Sequence, residues 1–264
     1  MYREKKRPFW QNALLSAAGI IVFFAIWELV VATGMVSPEK LVAPSKVIYA
    51  FFDKFHNVVP DGNTLDVHII TSLKIVLAGF LSACIIGVPL GLAMGFFKTC
   101  NRLLTPVFEI VRPIPPLAWI PIVIVMLGIG FQSKVFIIFI AALVPCVINS
   151  YTGIQATPKV LLNVARTAGA SHFEMFCKVG VPYALPMVFT GIIVSFGSAW
   201  ATLVAAEMIA SSEGLGYMIQ QGRNASKPEI VILGMLVIGL IGAALTYLLG
   251  ILERKATPWR KTHE

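Results

Sequence analysis

The chain has 264 residues, of which 57% are hydrophobic and only 13% are charged. A soluble domain carries about 25% charged residues, so this composition excludes a water-soluble globule and indicates an integral membrane protein. The formal net charge is +8, but the basic residues flank apolar runs, which indicates membrane orientation and argues against nucleic-acid binding.

The N-terminal segment is predicted to be retained as a first membrane span. A basic start, MYREKKR, is followed by an apolar run from Ala13 to Thr33. The run is too long for the core of a cleaved signal peptide, and no small-residue cleavage site ends it.

Six segments are long and apolar enough to cross a bilayer, which takes about 20 residues. Backbone groups in hydrocarbon must satisfy one another, so each segment is predicted to be helical. The spans are predicted over residues 13–33, 68–97, 103–128, 134–152, 182–206 and 229–252. The predicted fold class is therefore an all-α integral membrane protein, with one transmembrane domain over residues 1–264.

Glycines in the second span predict a packing face. Gly87, Gly91 and Gly95 form two overlapping GxxxG steps, and small residues let membrane helices approach closely.

The distribution of basic residues predicts the orientation. With six spans, the side that holds both termini and the 153–181 loop carries 13 Lys and Arg, and the other side carries six. The positive-inside rule places the side with more basic residues in the cytoplasm.

Charged residues inside spans are functional candidates because they are unfavourable in lipid. Glu28 and Lys74 are predicted to lie at similar depths near the outer ends of the first and second spans. They either form an ion pair or extend separately to the outer membrane interface. Glu109 and Arg112 share one helix face. Arg112 either attracts an anion in the pore or is neutralised by Glu109.

The proline-rich run after Arg112 predicts a kink where the backbone lines a cavity. Trp119 and Trp200 are equally compatible with lipid-facing and pore-lining positions. The candidate translocation pathway is Glu109, Arg112, Pro113, Trp119 and Trp200.

Catalytic, metal and cofactor sites are not expected. The four cysteines share no CxxC spacing and the histidines are scattered. The sequence has no Gly-x-x-x-x-Gly-Lys-[Ser/Thr] loop for ATP and no Gly-x-Ser-x-Gly or His-Glu-x-x-His motif. The chain is therefore expected not to be an enzyme.

The polar segment NVARTAGASHFEMFCKVGVP, residues 163–182, lies between the fourth and fifth spans. Thr157 and Pro158 are suited to begin a helix, and Gly169 breaks it. Ser171 followed by Glu174 has the capping-box pattern and predicts a second short helix, His172–Val179. The predicted shape is helix, glycine turn, helix, and entry into the membrane at Pro182.

This segment resembles the loop signature of ABC-importer permeases, which is Glu-Ala-Ala, three residues, Gly, nine residues, then Ile-x-Leu-Pro. Ala165, Gly169 and Pro182 fall in register with it, with Val179 and Val181 as conservative changes. The chain departs from the signature at positions 163 and 164, where it has Asn and Val, and this weakens any ion-pair role for Asn163.

Two further motifs resemble the nitrate/sulfonate/taurine subfamily of these permeases, namely Leu41–Ser45 (LVAPS) and Arg112–Pro121 (RPIPPLAWIP). A third motif, Gly214–Tyr217 (GLGY), resembles a further feature of the family. Together with the loop, the resemblance covers nearly the whole chain.

The resemblance implies a six-helix type I importer permease in the bacterial inner membrane, with a cytoplasmic coupling helix. It further implies that two copies form the pore, that two cytoplasmic ATPase subunits hold the ATP and Mg²⁺, and that an external binding protein delivers a small anion. The residues expected at the ATPase contact are Asn163, Ala165, Arg166, Gly169, Ala170, His172, Phe173, Phe176 and Pro182.

Several alternatives remain open. The loop could instead be an amphipathic connector that lies on the bilayer. The outer segment Ala206–Lys227 either faces the binding protein or is a simple loop. The cargo could be a pyrimidine or flavin-type vitamin precursor. A stand-alone secondary transporter would require carboxylates for a coupling ion deep in the spans, and only Glu109 is expected to be even partly placed for that.

Overall fold

In the computed structural model, the chain is described over residues 9–36 and 41–258, and its regular structure there is helical. Basic residues that entered the orientation count but lie outside these ranges are Arg3, Lys5, Lys6, Arg7, Lys40, Arg260 and Lys261. The helices are α1 Phe9–Ala32, α2 Pro44–Asp53, α3 Leu65–Phe96, α4 Lys98–Val111, α5 Ile120–Leu127, α6 Phe131–Gln155, α7 Lys159–Thr167, α8 His172–Met175, α9 Val181–Ala210, α10 Leu215–Asn224 and α11 Pro228–Ala256.

The all-helical membrane class is confirmed, but the described residues support four or five crossings rather than six. Four helical stretches are each long and apolar enough, namely Leu65–Phe96, Phe131–Gln155, His172–Ala210 and Pro228–Ala256. A fifth crossing forms if α4 and the segment Pro116–Leu127 act together. The apolar stretch found in α1, Ala18–Ala32, is shorter than these.

The third predicted span is not one continuous helix. Helix α4 ends at Val111, a 3-10 turn covers Pro116–Trp119, and the two helical pieces meet at an angle of 83°. Pro113, Pro115 and Pro116 explain the break, because proline lacks the N–H for the helical hydrogen bond and restricts the residue before it.

The chain divides into two compact units. Among the described residues, the first contains those up to Leu65 together with Met218–Leu236, and the second contains Asp66–Tyr217 and those from Val237 onward. In the second unit, helices α3, α6 and α9 form the core. Phe80 of α3 and Phe196 of α9 meet edge to face with ring centroids 5.5 Å apart, in a cluster that includes Ile138 of α6.

Glycines bring α3 against α6, which confirms the predicted packing face. A Cβ built onto Gly87 would lie 2.9 Å from Cβ of Cys146, and one built onto Gly91 would collide with the Val147 carbonyl oxygen. A Cβ built onto Gly95 would lie 2.8 Å from the Tyr151 carbonyl oxygen. The two backbones therefore approach more closely than any larger residue would permit.

Helix α9 packs closely against α6 by the same means. A Cβ on Gly153 of α6 would lie 2.8 Å from Cβ of Met187, and one on Gly191 of α9 would lie 2.5 Å from Cβ of Asn149. Helix α6 is thus held between two close neighbours.

In the first unit, buried and capping charges order the chain after α1. The Glu28 carboxylate accepts hydrogen bonds from N and Oγ of Ser45, in the first turn of α2, at 3.1 and 2.8 Å. This contact gives Glu28 a capping role. The fully buried Lys54 ammonium donates to Asp61 at 2.6 Å and to the Asn63 carbonyl at 2.7 Å, which fixes the turn that follows α2.

Replacing Gly91 by Ala tests the α3–α6 packing. We expect the G91A protein to lose about 1–3 kcal/mol of stability, because the added methyl group overpacks the contact with α6. Thermal unfolding in detergent measures the loss.

The matched control is Gly239→Ala in α11, where a built Cβ meets nothing within 4 Å. Alanine favours helix at such a site, so G239A should unfold at or above the wild-type temperature. Equal destabilisation by both substitutions would contradict the glycine-packing account.

Candidate functional site

The segment between α6 and α9 has the predicted order of helix, glycine turn and helix. Helix α7 ends in a Schellman motif, in which the Ala170 N–H donates to the Ala165 carbonyl and the Gly169 N–H to the Arg166 carbonyl, each at 3.0 Å. Gly169 has φ +84°, a conformation that disfavours residues with a Cβ. The turn is therefore a defined structure rather than a slack connection.

The predicted capping box is confirmed. The Glu174 N–H donates to Oγ of Ser171 at 3.2 Å, and the Ser171 N–H donates to the Glu174 carboxylate at 3.0 Å. Lys178 adds a 2.8 Å ion pair to the same carboxylate. These bonds anchor the first turn of α8.

Two local expectations about this loop are wrong. Pro158 rather than Thr157 occupies the N-cap position of α7, without a side-chain cap. The second helix does not end near Val179, because a π turn over Phe176–Gly180 leads directly into α9. Pro182 lies in the first turn of α9, where the missing N–H is tolerated, so the helix continues from the loop into the membrane segment.

The exposed surface of the loop contains most of the residues expected at a partner contact. Phe173 is 66% exposed, so its ring is available to meet another surface. Ala165, Ala170 and Phe176 are half-buried. Those that are exposed are Asn163, Arg166, Gly169, His172, Phe173 and Pro182.

An aromatic cluster joins the loop to the α3–α4 junction. Phe176 packs against Phe96 and Phe97 with ring centroids 5.3 and 5.1 Å apart, and His172 packs against the same two rings at 4.9 and 5.6 Å. Phe96 ends α3 and Phe97 precedes α4. A displacement of the loop would therefore reach both helices.

A cavity of about 210 Å³ lies between α4 and α6. Nη1 of Arg112 is 3.0 Å from Oε1 of Glu109, and both side chains are about half exposed. The cavity is lined by Met94, Thr105, Phe108, Glu109, Arg112, Val147, Ile148, Tyr151 and Thr152.

A second cavity of about 390 Å³ lies between the end of α6 and the start of α9. Its lining includes Gly153, Tyr183 and Thr190, and it shares Thr152 with the first cavity. The two cavities together place polar groups beside the segment from which the loop emerges.

The candidate pathway residues do not all converge on these cavities. Glu109 and Arg112 line the first one, whereas Pro113 lies in the turn after α4. Trp119 packs beside the cluster of Ile120, Val123 and Ile137. Trp200 donates from Nε1 to the Ile238 carbonyl at 3.2 Å, and so joins α9 to α11.

A buried carboxylate that was not predicted from the sequence, Glu207, lies near the end of α9. Its oxygens accept hydrogen bonds from Oγ of Ser72 and from the Gly216 N–H, each at 2.8 Å. Ser72 in turn accepts the Leu215 N–H at 2.9 Å. The only sequence signal was an acidic residue at the end of an apolar run, shortly before the GLGY motif.

The chain is similar to a known family of transport proteins. Residues 87–258 match the family described as the binding-protein-dependent transport system inner membrane component. A putative ABC transporter permease protein of Methanocaldococcus jannaschii is 40% identical over 89% of this chain and 88% of its own length.

Relatives whose names state a cargo match this chain as well, and so does one solved structure. The taurine transport system permease protein TauC of Escherichia coli is 33% identical over 96% of this chain and 92% of its own. The nitrate import permease protein NrtB of Synechocystis is 31% identical over 97% and 95%. An inward-facing structure of the MetNI methionine ABC transporter shares the fold, with a TM-score of 0.55 and 18% identity over 68% of this chain and 93% of that one. The chain therefore belongs to the family of binding-protein-dependent transport system inner membrane components, as the membrane-embedded permease.

Proposed function

We propose that this permease couples to a cytoplasmic ATPase through the segment that links α6 to α9. The observation that carries the proposal is the fully hydrogen-bonded glycine turn at Gly169, flanked by the exposed Phe173. A turn with its backbone bonds satisfied resists deformation, and an exposed aromatic side chain is a suitable anchor for a groove on a partner. The region expected at this contact is residues 163–182.

Force from the ATPase would pass through the aromatic cluster. Closing a pair of ATPase subunits is a rigid-body motion, and α8 runs through its π turn into α9 without interruption. Phe176 and His172 bear on Phe96 and Phe97, so α3 and α4 would move with α9. A short docked segment can in this way act on three membrane helices.

The ATPase is a separate subunit in this proposal. The sequence has no phosphate-binding loop of the Gly-x-x-x-x-Gly-Lys-[Ser/Thr] type, so ATP and Mg²⁺ would bind to the ATPase subunits. Two permease copies would form the pore, both termini would lie in the cytoplasm, and an external binding protein would deliver cargo to the outer segment.

The cargo is proposed to be a small solute with an anionic group. The relatives named above include taurine and nitrate permeases, and a putative aliphatic sulfonates permease of Bacillus subtilis is 33% identical. Arg112 supplies a fixed cation at the α4–α6 cavity. A guanidinium binds oxyanions through paired N–H groups.

The family assignment argues against the secondary transporter that the sequence left open as an alternative. Its coupling ion would need a carboxylate that binds and releases it, and Glu207 is a fully buried candidate. Its oxygens, however, accept hydrogen bonds from Ser72 and Gly216, which favours a role in holding the α9–α10 connection to α3.

Replacing Phe173 by Ala tests the coupling surface. We expect F173A to weaken ATPase binding by about tenfold or more, because truncating an anchor residue at an interface removes at least 1–2 kcal/mol. Copurification with the ATPase and cargo-stimulated ATP hydrolysis are the measurements.

Phe52 provides the matched control, since it is 65% exposed and lies in α2, on the side predicted to be external. F52A should retain the ATPase at the wild-type level. Undiminished ATPase binding and uptake by F173A would contradict the assignment of the surface.

The native Cys177 allows a direct test of orientation. It is exposed in the loop. In a variant with Cys84, Cys100 and Cys146 replaced by Ser, Cys177 is the one thiol that remains, so any labelling reports the side of the membrane on which the loop lies. A membrane-impermeant maleimide should label it in inverted vesicles and not in intact spheroplasts. Labelling from outside the cell would rule out a cytoplasmic coupling loop.

A further inference from the structure

Helix α4 turns its polar side towards the α4–α6 cavity and its apolar side outward. Thr105, Glu109 and Arg112 line the cavity. Leu103 and Ile110 are 71% and 72% exposed on the same helix. An amphipathic helix at a water-facing surface has the reverse arrangement. The apolar face therefore suits lipid or a second permease copy, and the polar stripe forms one wall of the cavity.

The facing wall, on α6, offers hydrogen-bonding groups. The Tyr151 hydroxyl oxygen accepts from Nε2 of Gln155 at 2.8 Å, so its own proton can be donated to a ligand. The Thr152 hydroxyl donates to the Ile148 carbonyl at 2.8 Å, which leaves its oxygen free to accept. The cavity thus presents one cation, one anion, a donor and an acceptor.

The paired charges discriminate between kinds of cargo. Arg112 is within hydrogen-bonding distance of Glu109. A simple anion that took its place on Arg112 would put two negative charges beside one guanidinium, and the two like charges would repel each other. A zwitterion would instead exchange one ion pair for two, with no change in net charge.

We propose that the α4–α6 cavity binds a small zwitterion, whose oxyanion group sits on Arg112 and whose ammonium group sits on Glu109. The volume of about 210 Å³ corresponds to roughly seven water molecules at about 30 Å³ each. It admits a molecule of a few heavy atoms. This inference rests on the proposed importer function and names the cargo class of the same pathway.

The cavity is also placed to respond to the coupling loop. Helix α4 begins directly after Phe97, whose ring lies against His172 and Phe176. A shift of the loop would move the helix that carries both Glu109 and Arg112, relative to Tyr151 on α6. Binding and release at the cavity could in this way follow the ATPase cycle.

The test uses matched pairs of probes on the purified permease–ATPase complex in nanodiscs, without a binding protein. Taurine and ethanesulfonate differ only in the ammonium group, as do β-alanine and propionate. Equilibrium binding by calorimetry should favour at least one zwitterion over its matched anion by about tenfold or more, since a hydrogen bond between charged groups contributes on that scale. Equal binding of both members of each pair, or no binding of any probe, would overturn the proposal.

Charge-removing variants assign the two ends of the ligand. E109Q should abolish the preference for the zwitterion while leaving the anion bound, and R112Q should weaken both probes by about tenfold or more. R102Q removes an exposed charge from α4 outside the cavity lining and should bind as the wild type does. An unchanged zwitterion preference in E109Q would refute the assignment.

The same preparations separate this inference from the importer function. ATPase association and ATP hydrolysis stimulated by a binding protein are measured in parallel, and size-exclusion profiles check that each variant is folded. If coupling persists while the cavity shows no zwitterion preference, the cavity assignment alone fails. If the ATPase does not associate, the proposed function fails as well.

Discussion

The close approach of the α3, α6 and α9 backbones is the constraint on which the rest of the structure depends. Gly87 and Gly91 remove the side chains that would separate α3 from α6, and Gly153 and Gly191 do the same between α6 and α9. In lipid, apolar side chains gain little by leaving the solvent, so close van der Waals contact must supply the stabilisation. Each methyl group added at these helix contacts would therefore lower the stability of the three-helix core.

The close packing of α3, α6 and α9 sets the positions of the cavities beside α6 and of the loop between α6 and α9. The C-terminal part of α6 carries Tyr151 and Thr152 at the cavities, and it ends just before the loop begins. The start of α9 continues the loop through the π turn. Because both ends of the loop leave tightly packed helices, the exposed turn at Gly169 is held by rigid elements rather than by a flexible tether.

Buried polar groups stabilise the structure without obvious sequence signals. Glu207 binds Ser72 and the Gly216 N–H, and so joins the chain after α9 to α3. In the other unit, Lys54 is enclosed by Asp61 and neighbouring carbonyls. A charge removed from water is stable only with such partners, so each cluster specifies one arrangement of its segment.

The amino-acid sequence by itself determined the helical membrane class, the GxxxG seam, the Gly169 turn and the Ser171–Glu174 capping box. These features follow from composition and from local backbone rules, which act over a few residues. The prolines after Arg112 likewise predicted the break after α4. Only the tertiary structure decided the burial of Glu207 and which charged residues share a cavity with Tyr151. Those depend on contacts between segments far apart in the chain, because a polar side chain in a membrane protein acquires its role from the partner that packing brings to it.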